Sequence, residues 1–242
     1  MTRAQQATSF GRTASEYSLG RAGYPLEVVS WLVDGASSVV ELGAGTGKFT
    51  RALVELGHNT VALEPQQKML LTLRRELPDV PVACALAEAL PVASRCAGAV
   101  VVAQAWHWFD HRRSLPEIAR VLIEGGRLGL IWNVRDQLVD WVACLARITG
   151  SENSAATRAG LDRLEGFDEF EEARAGWSQP MDRDTLLAHV RSRSGVATLD
   201  EGARKRVLEE VGVLCDTHPD LQGRNRFELP YRTHAYRARL VG

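Results

Sequence analysis

An α/β fold built on a doubly wound, largely parallel sheet is predicted for this chain of 242 residues. Three observations predict it. Short β-branched runs alternate with helix-periodic segments from Ser37 to about Asn133. One of those runs, Ala99-Val-Val-Val-Ala103, is apolar at every position, as a strand covered by helices on both faces must be. A glycine-rich turn, finally, joins the first run to the first helix of the series.

Taken in order, Pro25–Val33 reads as a helix ahead of the first strand, with Pro25 near its first turn. Ser38–Leu42 is the first strand, and Phe49–Leu56 is a helix closed by Gly57. Thr60–Leu63 is a second strand ending at Glu64-Pro65. Gln66–Leu77 carries Met69, Leu70, Leu73 and Leu77 at helical spacing, with Pro78 just beyond. Val80–Ala85 is the third strand and Ala99–Ala103 the fourth. Leu115–Leu122 reads as a helix closed by Gly125-Gly126, followed by a fifth strand at Arg127–Trp132. Beyond it, Val139–Thr149, Thr157–Leu164, Arg183–Val190 and Glu201–Cys215 look helical and are expected to cap the sheet. Phe170–Gln179 and Phe227–Leu240 are strand candidates.

Composition narrows the function classes. The chain is 45% hydrophobic and 24% charged, and 29 Lys+Arg against 30 Asp+Glu give a net charge of −1. That balance argues against binding nucleic acid by bulk electrostatics. No apolar run approaches the roughly 18 residues of a membrane span, and the first twenty residues lack the apolar stretch of a secretory signal. A cytoplasmic protein is expected. Cys84, Cys96, Cys144 and Cys215 form no C-x-x-C pair, and no metal site is expected from spacing.

The turn Glu41-Leu-Gly-Ala-Gly-Thr-Gly-Lys-Phe-Thr50 is the most informative segment. A dinucleotide fingerprint, G-x-G-x-x-G, would need glycine at position 48, where Lys48 stands. A P-loop needs four residues between its glycines, but Gly43 and Gly47 enclose three, and Phe49 follows the lysine. What fits is G-x-G-x-G with an acidic residue, Glu41, two positions ahead. An acid at the end of the second strand, Glu64, stands 19 positions after Gly45, the kind of spacing at which ribose-binding acids occur in related folds.

Glu41–Gly47, with Glu64, resembles the cofactor-binding motifs of class I S-adenosylmethionine-dependent methyltransferases. Leu86-Ala-Glu-Ala-Leu-Pro91 resembles the family's loop after the third strand. Gln104-Ala-Trp-His-Trp-Phe-Asp110 is similar to the segment after the fourth strand in the type 11 branch, which includes enzymes similar to trans-aconitate methyltransferases. Tyr17-x3-Arg21-x2-Tyr24-Pro25 resembles that branch's N-terminal segment, with Ala22 in place of a proline.

The resemblance implies a seven-stranded Rossmann-like methyltransferase sheet with a small helical cap, in one domain spanning 1–242. Residues 1–36 would supply lid helices, 37–135 the cofactor-binding core, and 136–242 the cap and C-terminal strands. It implies S-adenosyl-L-methionine as cofactor and a small-molecule methyl acceptor, most simply an oxygen such as a carboxylate. A catalytically inactive cofactor-binding protein and a methyltransferase acting on RNA or protein are the alternatives.

Implied cofactor-binding residues are Gly43, Ala44, Gly45 and Gly47 in the turn, Glu64 on the ribose, and Pro65 beside it. Ala87 and Glu88 would frame the adenine, and Gln104 and Ala105 would line the pocket at the end of the fourth strand. Tyr17 and Arg21 would close over the cofactor. Glu41 would bond loop amides or the cofactor's amino end, or serve structurally. His107 is the general-base candidate, a packed core histidine being the competing expectation. Arg191 and Arg193 in the cap are candidates for reading an acidic acceptor.

Overall fold

The computed structural model describes residues 23–150 and 164–241. The expected helix over Thr157–Leu164 lies almost wholly outside them, as do Tyr17 and Arg21. The described chain forms seven strands: β1 (Ser38–Leu42), β2 (Asn59–Leu63), β3 (Val82–Ala83), β4 (Ala97–Ala103), β5 (Leu122–Arg135), β6 (Glu171–Met181) and β7 (Phe227–Arg239). The helices are α1 (Leu26–Leu32), α2 (Lys48–Glu55), α3 (Gln67–Glu76), α4 (His111–Val121), α5 (Asp140–Thr149), α6 (Arg183–Ser192), α7 (Ser194–Ala197) and α8 (Glu201–Thr217).

The strands make one sheet in the order β3-β2-β1-β4-β5-β7-β6. All neighbours are parallel except β7, which runs antiparallel to both β5 and β6. Two-residue alternation divides the apolar strands between two faces. Val40, Leu42, Val100, Val102, Leu128 and Leu130 pack on one side, and Val39, Ala99, Val101 and Ile131 on the other. The unbroken apolar run of β4 is thus a strand with helices over both faces.

Local chemistry sets the element ends. Gly57, at φ 82°, closes α2: its N–H donates to Val54 O, and the His58 N–H donates to Leu53 O, a Schellman cap. Pro25 is the N-cap of α1 and lies just outside the helix. β3 is shorter than the predicted Val80–Ala85, because it is an edge strand and Pro81 has no N–H to contribute to pairing. The helix predicted from Leu115 starts at His111, because the Asp110 carboxylate accepts the Arg112 N–H and caps it there. It ends at Val121, one residue before the expected Leu122, and Gly125-Gly126 do not close it. Those glycines lie in an irregular stretch of β5, where register jumps from Ala97↔Leu122 to Ala99↔Arg127.

The cap has its own apolar core. Trp141, Val142 and Leu145 of α5 meet Leu186 and Val190 of α6, Val211, Leu214 and Cys215 of α8, and Phe227, Leu229 and Tyr231 of β7. Topology places the cap. α5 follows β5, while α6–α8 follow β6, which runs the same way; all then return through the start of β7, where Tyr231 pairs with Arg135. The helices therefore stand at the carboxyl edge of the parallel strands. Among the described residues, no helix is long and apolar enough to cross a membrane.

Packing at the sheet centre is tight enough to test. A Cβ on Gly129 would lie 2.7 Å from Leu32 Cγ, whereas one on Gly176 in β6 would meet nothing within 4 Å. Gly129→Ala is expected to destabilise the protein by roughly 1–3 kcal/mol, and Gly176→Ala to be neutral or stabilising. Urea unfolding midpoints check both.

Candidate active site

The turn after β1 is held in shape by glycine. Gly43, Gly45 and Gly47 have φ of 70°, 58° and 89°, the left-handed region. A Cβ on Gly43 would stand 2.6 Å from Ala105 Cβ, and one on Gly47 2.9 Å from Leu73 Cγ. The Gly43 and Ala44 N–H groups both donate to Leu63 O, at 2.8 and 3.1 Å, and the Gly47 N–H donates to Ala44 O at 3.0 Å. The Ala44 side chain packs with Ala62 and Leu73. Ala44 is therefore committed to the turn itself through its side chain, its N–H and its carbonyl.

Glu64, at the end of β2, completes the turn from the other side. Its Oε2 accepts the Gly45 N–H at 2.8 Å, and its Oε1 accepts the Gln66 N–H at 2.9 Å. The residue is only 5% exposed. Burial pushes its carboxyl up from the ordinary range, while the two backbone donors pull it back. Each oxygen carries one protein hydrogen bond and retains a lone pair. Thr46, in the same turn, has a buried Oγ1 with no hydrogen-bond partner among the described residues.

Glu41 is more deeply enclosed, at 1% exposure. The Thr50 hydroxyl of α2 donates to its Oε2 at 2.6 Å. Of the two roles expected for Glu41, this bond favours the structural one: the Gly43, Ala44 and Gly45 amides go to Leu63 and Glu64 instead. Burial pushes its carboxyl up to about 8, Thr50 opposes this, and the nearby Glu64 charge adds to it.

At the ends of β3 and β4 the predicted residues sit on neighbouring loops. Pro65 is half-buried and its carbonyl accepts from Cys84 Sγ at 3.4 Å. Ala87 is buried in the core, and the Glu88 Oε1 accepts the Asp110 N–H at 2.8 Å, tying the β3 loop to the start of α4. Gln104 has φ of 62°, unusual for a residue with a side chain. Its N–H donates to Ile131 O and its Nε2 to Asn133 O, at 2.9 and 3.1 Å, which hold the conformation.

His107 lies on the 3-10 turn Trp106–Trp108 and is exposed, its ring 4.6 Å from that of Trp108. The packed-core expectation for it is therefore corrected. The buried ring of this turn is Trp106, on which His111 stacks at 4.4 Å. Arg191 and Arg193 lie at the C-terminal end of α6, half-buried.

Three contributors were not visible in the sequence. Thr50, which satisfies Glu41, sits nine residues away in an ordinary helical segment. Asn133 fixes Gln104 through a backbone carbonyl, which leaves no mark on residue type. Thr46 looked like a spacer between glycines.

In doubly wound sheets ligands bind outside the carboxyl edge of the strands, and the glycine turn and the buried Glu64 lie at that edge. Comparison with known proteins gives the class. A family model described as a methyltransferase domain matches residues 40–130. The chain is 40% identical over 241 residues to an uncharacterized methyltransferase of Mycobacterium tuberculosis, covering 99% of each chain. A solved structure assigned as a type II methyltransferase, from Anaeromyxobacter dehalogenans, superposes with a TM-score of 0.62 at 23% identity, over 90% of this chain and 96% of that one. A methyltransferase from Thermotoga maritima, described as S-adenosylmethionine-dependent, superposes with a TM-score of 0.55 at 20% identity, over 96% and 98%. The chain belongs to a family of methyltransferases, and its fold is the one these solved structures share.

Two outcomes follow from the buried acids. In Glu64→Gln, the side-chain amide can accept only one of the two backbone N–H groups, leaving a buried donor unpaired at about 1–3 kcal/mol. Urea unfolding is expected to register that loss. For Glu41 the folded carboxyl titrates at about 8 against an ordinary value of 4.5. A raised folded value means the stabilising contribution is complete below the unfolded value and is lost as pH rises through the folded one. Stability should therefore decline between pH 4.5 and 8, and Glu41→Gln should flatten that decline in denaturation curves taken across the range.

Proposed function

We propose that this methyltransferase acts on a small-molecule acceptor at oxygen, with a carboxylate as the acceptor group. The observation that carries this reading is the position of the cap: α5–α8 stand at the same strand edge as the glycine turn. An acceptor entering there meets helices with an apolar core of their own. The net charge of −1 supports a locally recognised small acceptor over a polyanion.

The residues present fit S-adenosylmethionine. Glu64 would accept the ribose hydroxyls on its remaining lone pairs, and the buried Thr46 hydroxyl, partnerless among the described residues, is a ready polar contact. Gly43, Gly45 and Gly47 would let the backbone lie against the ligand, with Ala44 shaping the turn. Pro65, Ala87 and Glu88 would border the adenine, and Gln104 and Ala105 the methionine side. Tyr17 and Arg21, outside the described residues, would close over it. Glu41 would support the turn from beneath through Thr50.

The bound sulfonium supplies an already activated methyl group. The protein's task is alignment of an acceptor lone pair, and positioning of this kind is worth about 7–11 kcal/mol of barrier. A carboxylate arrives with its lone pair free. A hydroxyl acceptor would need its proton taken, and His107, exposed after β4, is the group we assign to that step. Arg191 and Arg193 would pair with an acidic acceptor. The lid, core and cap would then work as one domain over 1–242.

Calorimetry with S-adenosylhomocysteine is expected to give saturable micromolar binding, and labelled donor with a panel of carboxylic acids to give transfer. Absence of binding at high protein concentration would overturn the cofactor map. Transfer confined to RNA or protein substrates would overturn the acceptor class. His107→Ala should lower kcat about 100-fold with hydroxyl acceptors, less with carboxylates, and leave donor affinity unchanged. A parallel loss of donor affinity would make His107 structural.

A further inference from the structure

The first residue of α5 lies against the C-terminal end of α8, and three metal-ligating side chains converge there. The ligand atoms of Asp140, Cys144 and His218 all fall within 4.8 Å of one another. Asp140 and Cys144 are four apart on α5, so they project from one helix face. His218 is the C-cap residue of α8, its side chain only 10% exposed. Its Nε2 is 3.2 Å from Asp140 Oδ2. Two ligand atoms each about 2.0–2.1 Å from a tetrahedral ion stand roughly 3.3 Å apart, so this pair already has the spacing of a shared cation.

We propose that Asp140, Cys144 and His218 bind a zinc ion that clamps α5 to α8. The donor set selects the metal class. A thiolate and an imidazole suit zinc and disfavour calcium and magnesium, which prefer all-oxygen sites. Thiolate and carboxylate together neutralise the 2+ charge, and water completes four-coordination.

Binding requires three local changes. The Cys144 thiol loses its proton to solvent. Sγ also exchanges the Arg147 guanidinium, whose Nη2 now lies 2.8 Å away, for the metal. His218 must present a bare Nε2, so its ring proton moves to Nδ1. That nitrogen now accepts the Asp220 N–H at 3.2 Å, but the Asp220 carboxylate stands 3.8 Å from it. A small turn of Asp220 makes the carboxylate the acceptor of Nδ1–H, an arrangement common behind metal-bound histidines. The cap is the unit this clamp would stabilise, because both helices contribute to its apolar core. The proposal rests on the fold and is independent of the acceptor reading.

The test uses the full chain with its two exposed thiols removed, Cys84→Ser and Cys96→Ser, so that neither contributes binding. After chelator treatment, Co(II) is titrated in and its thiolate-to-metal charge-transfer absorption followed, and Zn(II) is then added as competitor. The expected result is one equivalent of Co(II) with that absorption, displaced by Zn(II), together with a zinc-dependent rise in Tm. Cys144→Ser in the same background should abolish both effects, and His218→Ala should weaken binding at least tenfold. Circular dichroism separates lost binding from lost folding, and Cys144→Ser, a near-isosteric change, remains informative if His218→Ala unfolds. No charge-transfer absorption, or the same absorption and Tm rise in Cys144→Ser, overturns the site.

Discussion

The carboxyl group of Glu64 is the joint on which the glycine turn depends. A strand end and a glycine turn have no covalent reason to keep a fixed distance. Here one oxygen holds the Gly45 N–H and the other holds the Gln66 N–H, so the turn after β1 and the turn after β2 share a single carboxyl group. Leu63 O, one residue earlier, takes the Gly43 and Ala44 amides. Most donors of the glycine turn are thereby satisfied by β2. The sheet's central register, Leu42 opposite Leu63, sets the shape of the turn in front of it.

The same arrangement explains why a second acid is tolerated beneath the first. Two carboxylates close together in a dry interior cannot both ionise cheaply. Two backbone donors pull the Glu64 carboxyl back against the upward push of burial, whereas Glu41 has one hydroxyl and fuller burial. The protein thus separates two chemically identical groups by their surroundings. Glu64 holds two backbone amides at the turn, and Glu41, its carboxyl pushed up to about 8, is a hydrogen-bonded brace between β1 and α2.

Much of this was legible in the sequence because local chemistry wrote it there. The three glycines, the acid 19 positions on and the apolar β4 run each have one physical cause, and the structure puts all three where those causes require. Legibility failed where position depends on a partner distant in sequence. The start of α4 was misread because Asp110 looked like the tail of an aromatic segment, although it is a helix cap. β3 was read too long because pairing at an edge depends on Pro81 as much as on the β-branched residues around it. Gln104 carries no mark of its left-handed backbone, which is imposed by Ile131 and Asn133 across the sheet.

Those last bonds also bear on how the two halves communicate. Gln104 at the end of β4 bonds to the Asn133 carbonyl on β5. The Asn133 amide oxygen accepts the Thr233 hydroxyl of β7 at 2.7 Å, and Thr233 Oγ1 accepts the Trp177 indole N–H of β6 at 2.8 Å. The Trp177 ring stacks on Tyr231, 5.0 Å between centroids, and Tyr231 belongs to the cap core. A single row of polar groups therefore crosses four strands, from the carboxyl end of β4 to the foot of the cap. Removing a member strands its buried neighbours without partners, a cost larger than the net worth of the bond itself. Such a row is stiff. It fixes the base of the cap to the sheet.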